Sequence, residues 1–387
     1  VPRRKIEMRI VIDTHAIGRL LTGNERYIQN VAEHLLALDG ENEYYFFFSD
    51  KHACRRWENR ARNLRVGLVS PNPFRRLGVD FVLQLRRLRP QLFHCQYTGP
   101  LIHVSPEVVT IHDVSFEEHP EFFTRRQRLR LRLTVRRAVR SADRIITVSE
   151  FSKAEIMRLF NVPERKIRVI YNGVGPEFRR IEDREAIRRR LENYGIRRPF
   201  LLVVGNICGR KNQAGGLQGY ARWLSKNKNC EHLLVMVGKL EAYVMDLRRE
   251  ASRLGVGDDR LKFPGFVSDE DLPYLYSGAE LLLNTSLYEG FGLPLVEAMQ
   301  CGLPIIASRA SCFPEIAGSA ACYVNPTDPD GIAQAIGAVL DDNALRSRLT
   351  GAGLQRAGCF RWDVAARETL TVYHEVANGR GHSNDTG

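Results

Sequence analysis

The sequence predicts an α/β protein made of two doubly wound domains, each a mainly parallel sheet with helices on both faces. Three observations lead there. Short apolar runs alternate with longer stretches of helical periodicity, the mark of βαβ units. The runs fall into two sets, each about the size of one open sheet. Between the sets, residues 172–190 carry Gly173, Gly175 and Pro176 and then turn densely charged, a composition suited to a linker. The length of 387 residues fits two or three domains at about 150 residues each.

In chain order, the first set of expected strands is 9–13, 44–48, 92–95, 108–112, 144–148 and 167–170. The second set is 200–204, 232–237, 261–263, 281–284, 304–307 and 321–324. The two domains are expected to face each other across a cleft. In such sheets ligands sit beyond the carboxyl ends of the strands, so the strand-to-helix loops are where chemistry is sought.

Composition narrows the partners. Lys plus Arg is 57 against 45 Asp plus Glu, a formal charge of +12. That excess favours nucleic acid, phosphorylated small molecules or an acidic membrane face. A nucleic-acid binder would show a recognition motif or an aromatic stacking run, and neither is present. The eight cysteines form no C-x-x-C pair and have no histidine at zinc-ligand spacing, which excludes a zinc or disulfide framework and suits a reducing compartment. No apolar run approaches the roughly 20 residues of a spanning helix. The start of the chain is basic, and its apolar stretch at 8–12 is broken by Arg9. It reads as a first strand preceded by an arm, and is too short for a secretion signal.

The most informative loop is 287–302, LYEGFGLPLVEAMQCG. Glu289 and Glu297 stand with seven residues between them. Gly290 and Gly292 let the backbone bend and approach a ligand closely. Pro294 suits a helix start, and the helix should run to Gln300 and stop at Gly302. Its free amides and dipole favour an anion such as a diphosphate. Glu289 is expected before the helix and Glu297 in its first turn, both within reach of one ligand's hydroxyls. Dipole compensation and a solvated turn account for the same pair without a ligand.

A second loop, 203–212, reads VVGNICGRKN. Arg210 and Lys211 follow Gly205 and Asn206 and can neutralise a leaving diphosphate, or simply belong to a basic loop. A third segment, TIHDV at 110–114, ends an apolar strand with His112 and Asp113. His112 can meet a sugar hydroxyl or a phosphate, or be a strand-end histidine paired with Asp113. A fourth, LTGNERY at 21–27, has Gly23 for a turn before a helix and Arg26 to touch a phosphate or acceptor, and at least equally makes a plain helix start. Finally, 125–140 holds eight arginines and no acid. Leu131, Val135, Ala138 and Ala142 share one helical face and Arg128, Arg132 and Arg136 another. Such a helix can lie on anionic lipid, or pack its apolar face and solvate the rest. The acidic runs 328–330 and 341–342 read as loops rather than metal sites.

The segment EGFGLPLVEAMQCGLPIIAS resembles the signature of glycosyltransferase family four, a retaining family with the GT-B fold. VVTIHDVSF, ITVSEFSKAEI, VIYNGV, VVGNICGRKN, FPGFVSDEDLPYLYSGAELLLNTS and FRWDVAARETLTVYHEV resemble family segments in family order. The resemblance implies an acceptor-binding domain at 1–178, a nucleotide-sugar domain at 179–358, and a C-terminal helix and tail at 359–387 crossing back onto the first. It implies that Glu297 holds the ribose and Glu289 faces the donor sugar. Amides of Phe291, Gly292 and Leu293 should meet the sugar and phosphate, with Arg210 and Lys211 on the diphosphate. The turn at Phe266 and Val267 should lie beside the base, and His112 should face the transferred sugar or its phosphate. Many relatives carry a glycine where Glu25 stands, so phosphate binding by the first loop does not transfer directly. Asn24 or Glu25 then becomes a candidate for acceptor hydroxyls.

The implied reaction is a front-face retaining transfer of a hexose, with domain closure excluding water and no metal required. The pattern resembles mannosyltransferases of surface polysaccharide or glycolipid assembly using GDP-mannose, with a UDP-sugar as the alternative donor. A saccharide or lipid-linked acceptor, and a cytoplasmic position at the inner membrane face through 125–140, complete the expectation. A catalytically silent nucleotide-sugar binder is the rival.

Overall fold

A computed structural model describes residues 7–19, 23–240 and 242–379. The arm 1–6, residues 20–22 of the first loop, Glu241 in the loop after Gly238, and the tail from 380 lie outside them. The chain divides into two compact units. One runs up to Gly173 and resumes from Arg361, and the other is Val174–Phe360.

The first unit holds a seven-stranded sheet. Its strands are β1 (Arg9–Asp13), β2 (Glu43–Phe48), β3 (Leu64–Leu68), β4 (Leu92–Gln96), β5 (Glu107–Ile111), β6 (Arg144–Thr147) and β7 (Ile167–Val169). Their order is β3-β2-β1-β4-β5-β6-β7, and every pairing is parallel. The chain order reverses between β1 and β4, so that pair of strand ends is the switch point where a ligand crevice opens. β4 and β5 are buried along their whole length, as central parallel strands must be.

The second unit holds β8 (Phe200–Val204), β9 (Leu233–Val237), β10 (Leu261–Gly265), β11 (Leu281–Asn284), β12 (Ile305–Ser308) and β13 (Ala321–Val324). They run β10-β9-β8-β11-β12-β13, again all parallel, with the switch point between β8 and β11. The helices Gln213–Lys226 and Pro329–Asp341 pack at close range on this sheet. Gly219 permits the approach: a Cβ there would stand 2.3 Å from Ile332 Cγ2.

Two features depart from the sequence expectation. β3, LRVGL, was not foreseen. It is an edge strand with only Leu64 buried, and Gly67 leaves its Cβ space to the Phe47 ring, 2.7 Å from that position. The helix Arg125–Ser141 buries Val135, Ala138 and Val139 on the expected face. The arginines expected to face away are partly engaged within the chain: Arg132 Nε pairs with Glu117 at 3.0 Å, and Arg136 lies 5.9 Å over the Phe160 ring. The outward stripe is Arg126, Leu129, Arg130, Leu133 and Arg140, with both leucines exposed.

The C-terminal helix Trp362–Gly379 belongs to the first unit and packs along the helix Gly23–Leu38. Gly173 makes room for it, since a Cβ there would fall 2.2 Å from the Trp362 amide nitrogen. No described helix is long and apolar enough to cross a membrane. All eight cysteines are free thiols.

Candidate active site

In the second unit the loops after β8 and β11 bring the predicted residues together. Gly205, with φ 140°, lets the Lys211 side chain fold over the end of β8; Lys211 Cε lies 3.3 Å from where a Cβ would stand. Gly209–Lys211 forms one 3₁₀ turn, ended by Asn212 in the left-handed region. Asn212 Nδ2 donates to the carbonyls of Thr285 (3.1 Å) and Pro326 (2.8 Å), and Thr285 Oγ1 donates back to the Asn212 carbonyl at 2.8 Å. The Leu287 amide donates to the Arg210 carbonyl at 3.0 Å. These bonds bolt the two loops of the switch point to each other.

Glu289 is buried between them. Its Oε1 pairs with Lys211 Nζ, and its Oε2 lies 3.2 Å from Arg210 Nη1. Arg210 Nη1 also donates to the Tyr288 carbonyl at 2.5 Å. Burial alone would raise the Glu289 carboxyl; Lys211 and Arg210 outweigh it and hold the pKa at about 2. The group is therefore a carboxylate at neutral pH, and two cations sit fixed beside it. The Glu289 amide donates to Ser311 Oγ at 3.1 Å, which anchors the loop to the turn after β12. Ser311, in the left-handed region at φ 51°, gave no sign of this role in the sequence.

The helix Leu293–Gln300 follows Gly292, whose φ of 88° no bulky residue adopts easily. A Cβ on Gly292 would also meet Phe313 at 2.6 Å. The amides of Gly292 and Leu293 precede the first intrahelical bonds and are the donors expected there. Gly290 and Phe291 are buried in the approach to this helix. Glu297 corrects the sequence reading. It lies in the helix's second turn, 2% exposed, and its Oε2 accepts from Tyr276 Oη at 2.7 Å. The helix begins at Leu293, so Glu297 projects inward instead of capping the end. Tyr276 is a partner the sequence did not reveal.

Around this core, the Asn206 carbonyl accepts from Gln213 Nε2 at 2.9 Å, while Asn206 Oδ1 is buried without a partner among the described residues. Phe266 is exposed and Val267 buried just past Gly265, whose carbonyl accepts from the Gly238 amide at 3.0 Å. The acidic runs cap helices: Asp328 accepts from the Asp330 amide, and Asp342 from the amides of Ala344 and Leu345. Among the described residues no group of three or more metal-ligating side chains converges.

In the first unit, His112 lies just past β5 and is 8% exposed. Its Nε2 meets Gln96 Oε1 at 2.7 Å, so its partner is Gln96, and the pairing with Asp113 considered from sequence does not form. Asp113 Oδ1 instead accepts from the Ser115 amide (3.0 Å) and hydroxyl (2.7 Å). Burial lowers the His112 pKa to about 4, so the ring is neutral. Tyr27 packs edge-on against it at 4.6 Å. Behind Tyr27 a buried chain runs through Thr110 Oγ1 (2.9 Å) and His94 Nε2 (2.8 Å) to Tyr373 Oη at 2.6 Å from His94 Nδ1. Gly23 opens its helix and Asn24 is half-buried, whereas Glu25 Oε1 accepts from the Gly18 amide at 2.7 Å. Glu25 thus ties its helix to Gly18 through one carboxylate oxygen.

Comparison with known proteins shows the family. The family model for glycosyl transferases group 1 matches residues 183–356, and that for glycosyltransferase family 4 matches 21–178. The O-antigen chain mannosyltransferase B of Escherichia coli is 32% identical over 282 residues, which is 72% of this chain and 73% of that protein. The chain belongs to glycosyltransferase family four. The O-antigen chain mannosyltransferase RfbU of Salmonella typhimurium is 30% identical over 62% of each chain. Among solved structures, Anabaena Alr3699/HepE in complex with UDP-glucose superposes with a TM-score of 0.74 at 20% identity, covering 97% of this chain and all (100%) of that one. The GT-B fold expected from the resemblance is therefore the fold of this family-four glycosyltransferase, as two parallel sheets of Rossmann order.

Proposed function

We propose that this glycosyltransferase moves a mannosyl residue from GDP-mannose, with retention at the anomeric carbon, to a saccharide or lipid-linked acceptor in surface polysaccharide synthesis. The observation that carries the reading is Glu289 held ionised between Arg210 and Lys211 at the switch point, beside the amides that open Leu293–Gln300. Two fixed cations and a helix N-terminus suit a diphosphate leaving group, whose charge grows as the sugar–oxygen bond breaks. Glu289 keeps both cations in place and offers its oxygens to sugar hydroxyls; Glu297 takes the ribose. In the front-face course the bond from the anomeric carbon to the phosphate oxygen breaks as the acceptor oxygen bonds to that carbon on the same face. The acceptor's proton passes to the departing phosphate. The relatives named as mannosyltransferases favour mannose. A UDP-sugar is the second reading, favoured by the structural relative solved with UDP-glucose.

Thermal unfolding with GDP, UDP, ADP and their common sugar conjugates, on wild type and Glu297→Ala, tests this. A rise confined to GDP and GDP-mannose and lost in the variant is expected by linkage. A UDP-selective rise overturns the donor and keeps the transferase. The stripe Arg126, Leu129, Arg130, Leu133 and Arg140 supports cytoplasmic placement at an anionic membrane face. Replacing Arg126, Arg130 and Arg140 with Gln should abolish co-sedimentation with anionic vesicles; unchanged binding refutes it.

A further inference from the structure

His112 has two ring nitrogens, and the protein decides which one a ligand can use. Gln96 is the last residue of β4, and the parallel register pairs it with Thr110 on β5. His112 follows Thr110 by two residues, so both side chains leave the same face of the sheet. Their meeting at 2.7 Å joins His112 Nε2 to the carbonyl oxygen of the Gln96 amide. A carbonyl oxygen can only accept, so with the Gln96 amide in this orientation Nε2 carries the proton. A neutral imidazole has one such proton, which leaves Nδ1 with a bare lone pair. Burial keeps the ring neutral.

The remaining surroundings do not undo this. The Tyr27 ring stands edge-on at 4.6 Å and the Tyr97 ring tilted at 5.5 Å, so they fix the plane of the ring without protonating it. The adjacent carboxylate, Asp113, has one oxygen occupied by the Ser115 amide and hydroxyl.

We propose that Gln96 is a positioning residue that holds His112 as the Nε2–H tautomer, so the ring meets its ligand through an unprotonated Nδ1. A lone pair accepts a hydrogen bond from an O–H group and repels a phosphate oxygen, which at neutral pH has only lone pairs to offer. Of the two partners the sequence left open for His112, a sugar hydroxyl fits and the phosphate does not. The inference rests on the transferase reading for the ligand, and on geometry alone for the tautomer.

The two parts separate experimentally. Nitrogen-resolved NMR of the full chain labelled at histidine, with His112 assigned from His112→Phe, reads the tautomer without substrate. The expected result at pH 7.5 is a protonated Nε2 and a bare Nδ1 in wild type. Gln96→Met, close in shape and without the acceptor, should release the ring to a tautomer mixture. Gln96→Glu, which still accepts, should restore the wild-type signal. Kinetics with GDP-mannose (UDP-glucose in parallel) should show kcat down about tenfold in Gln96→Met, the size of one lost hydrogen bond, with KM for the donor little changed and recovery in Gln96→Glu. A proton on Nδ1 in wild type, or an unaltered ring in Gln96→Met, overturns the proposal. So does an equal loss of turnover in both variants. If neither donor is turned over, the functional reading fails and the tautomer result still decides the role of Gln96; if Gln96→Met does not fold, the wild-type spectrum decides it.

Discussion

The two units share one strand order and place their candidate residues at the carboxyl ends of central parallel strands, the second unit at its switch point and the first one strand beyond it, yet they equip these ends with opposite chemistry. At β8 and β11 the site is made of charge: Glu289 is ionised and clamped by Arg210 and Lys211. At β4 and β5 it is made of neutral polar groups: His112 and Gln96, with Tyr27, Thr110, His94 and Tyr373 behind them. A charged cluster suits a ligand whose charge changes during reaction, because fixed cations stabilise a developing anion. A neutral buried network suits a ligand recognised by hydroxyls, because each buried donor and acceptor must find its complement. The same sheet order therefore serves both tasks, and only the side chains at the strand ends differ.

The largest expected effect tests the charged half. Glu289→Gln keeps the shape and removes the charge that both cations share. Turnover should fall about 100-fold or more, the scale seen when one preorganised electrostatic group is lost. Steady-state kinetics on the folded variant measures it, and a fall below tenfold would make the clamp a structural ion pair only.

Acid should next separate the halves. His112 and His94 have folded-state pKa values of about 4 and about 3, below the ordinary 6.5, because burial disfavours their charged forms. The unfolded chain takes up protons first, so the stability these rings contribute is full above pH 6.5 and declines as pH falls toward 4 and 3. At pH 5 each should cost about 2 kcal/mol. Glu289, depressed from 4.5 to about 2, contributes stability that is present above 4.5 and is lost only as pH falls toward 2. Hydrogen exchange at pH 7.5 and pH 5 should show first-unit peptides losing protection before second-unit peptides. Equal loss in both would break the contrast.

The smallest effect sharpens it. Tyr276→Phe removes the hydroxyl that meets Glu297 Oε2 at 2.7 Å and should cost about 1 kcal/mol in a denaturant titration. If Glu297 is freed to move, the nucleotide-induced rise in melting temperature should shrink as well; a stability loss with an unchanged ligand shift would confine Tyr276 to packing.

Much of this was legible in the chain. The central strands announce themselves because both faces are buried, so their apolar runs are continuous. β3 escaped because an edge strand with Arg65 exposed and Gly67 filled by Phe47 lacks that pattern. The helix after Gly292 was readable from Gly, Pro and the stop at Gly302, but its start was placed one residue late, and that put Glu297 in the first turn instead of the second. The basic helix was recognised, yet which arginines face outward depended on Glu117 and Phe160, which lie outside the helix.

By itself the sequence determined which loops end the strands, that Gly290 and Gly292 let the backbone bend before a helix, and that Glu289, Arg210, Lys211 and His112 stand in the segments that follow strand ends. Those are local facts, set by periodicity, backbone preference and adjacency along the chain. The tertiary structure alone decided that Gln96 is the partner of His112, that Tyr276 takes Glu297, that Ser311 anchors Glu289, and that Tyr373 on the last helix reaches His94, 279 residues away. Each of those pairs joins segments brought side by side by parallel register and crossover helices. A hydrogen bond acts over about 3 Å, and only the folded sheet sets distances on that scale between residues so far apart in the chain.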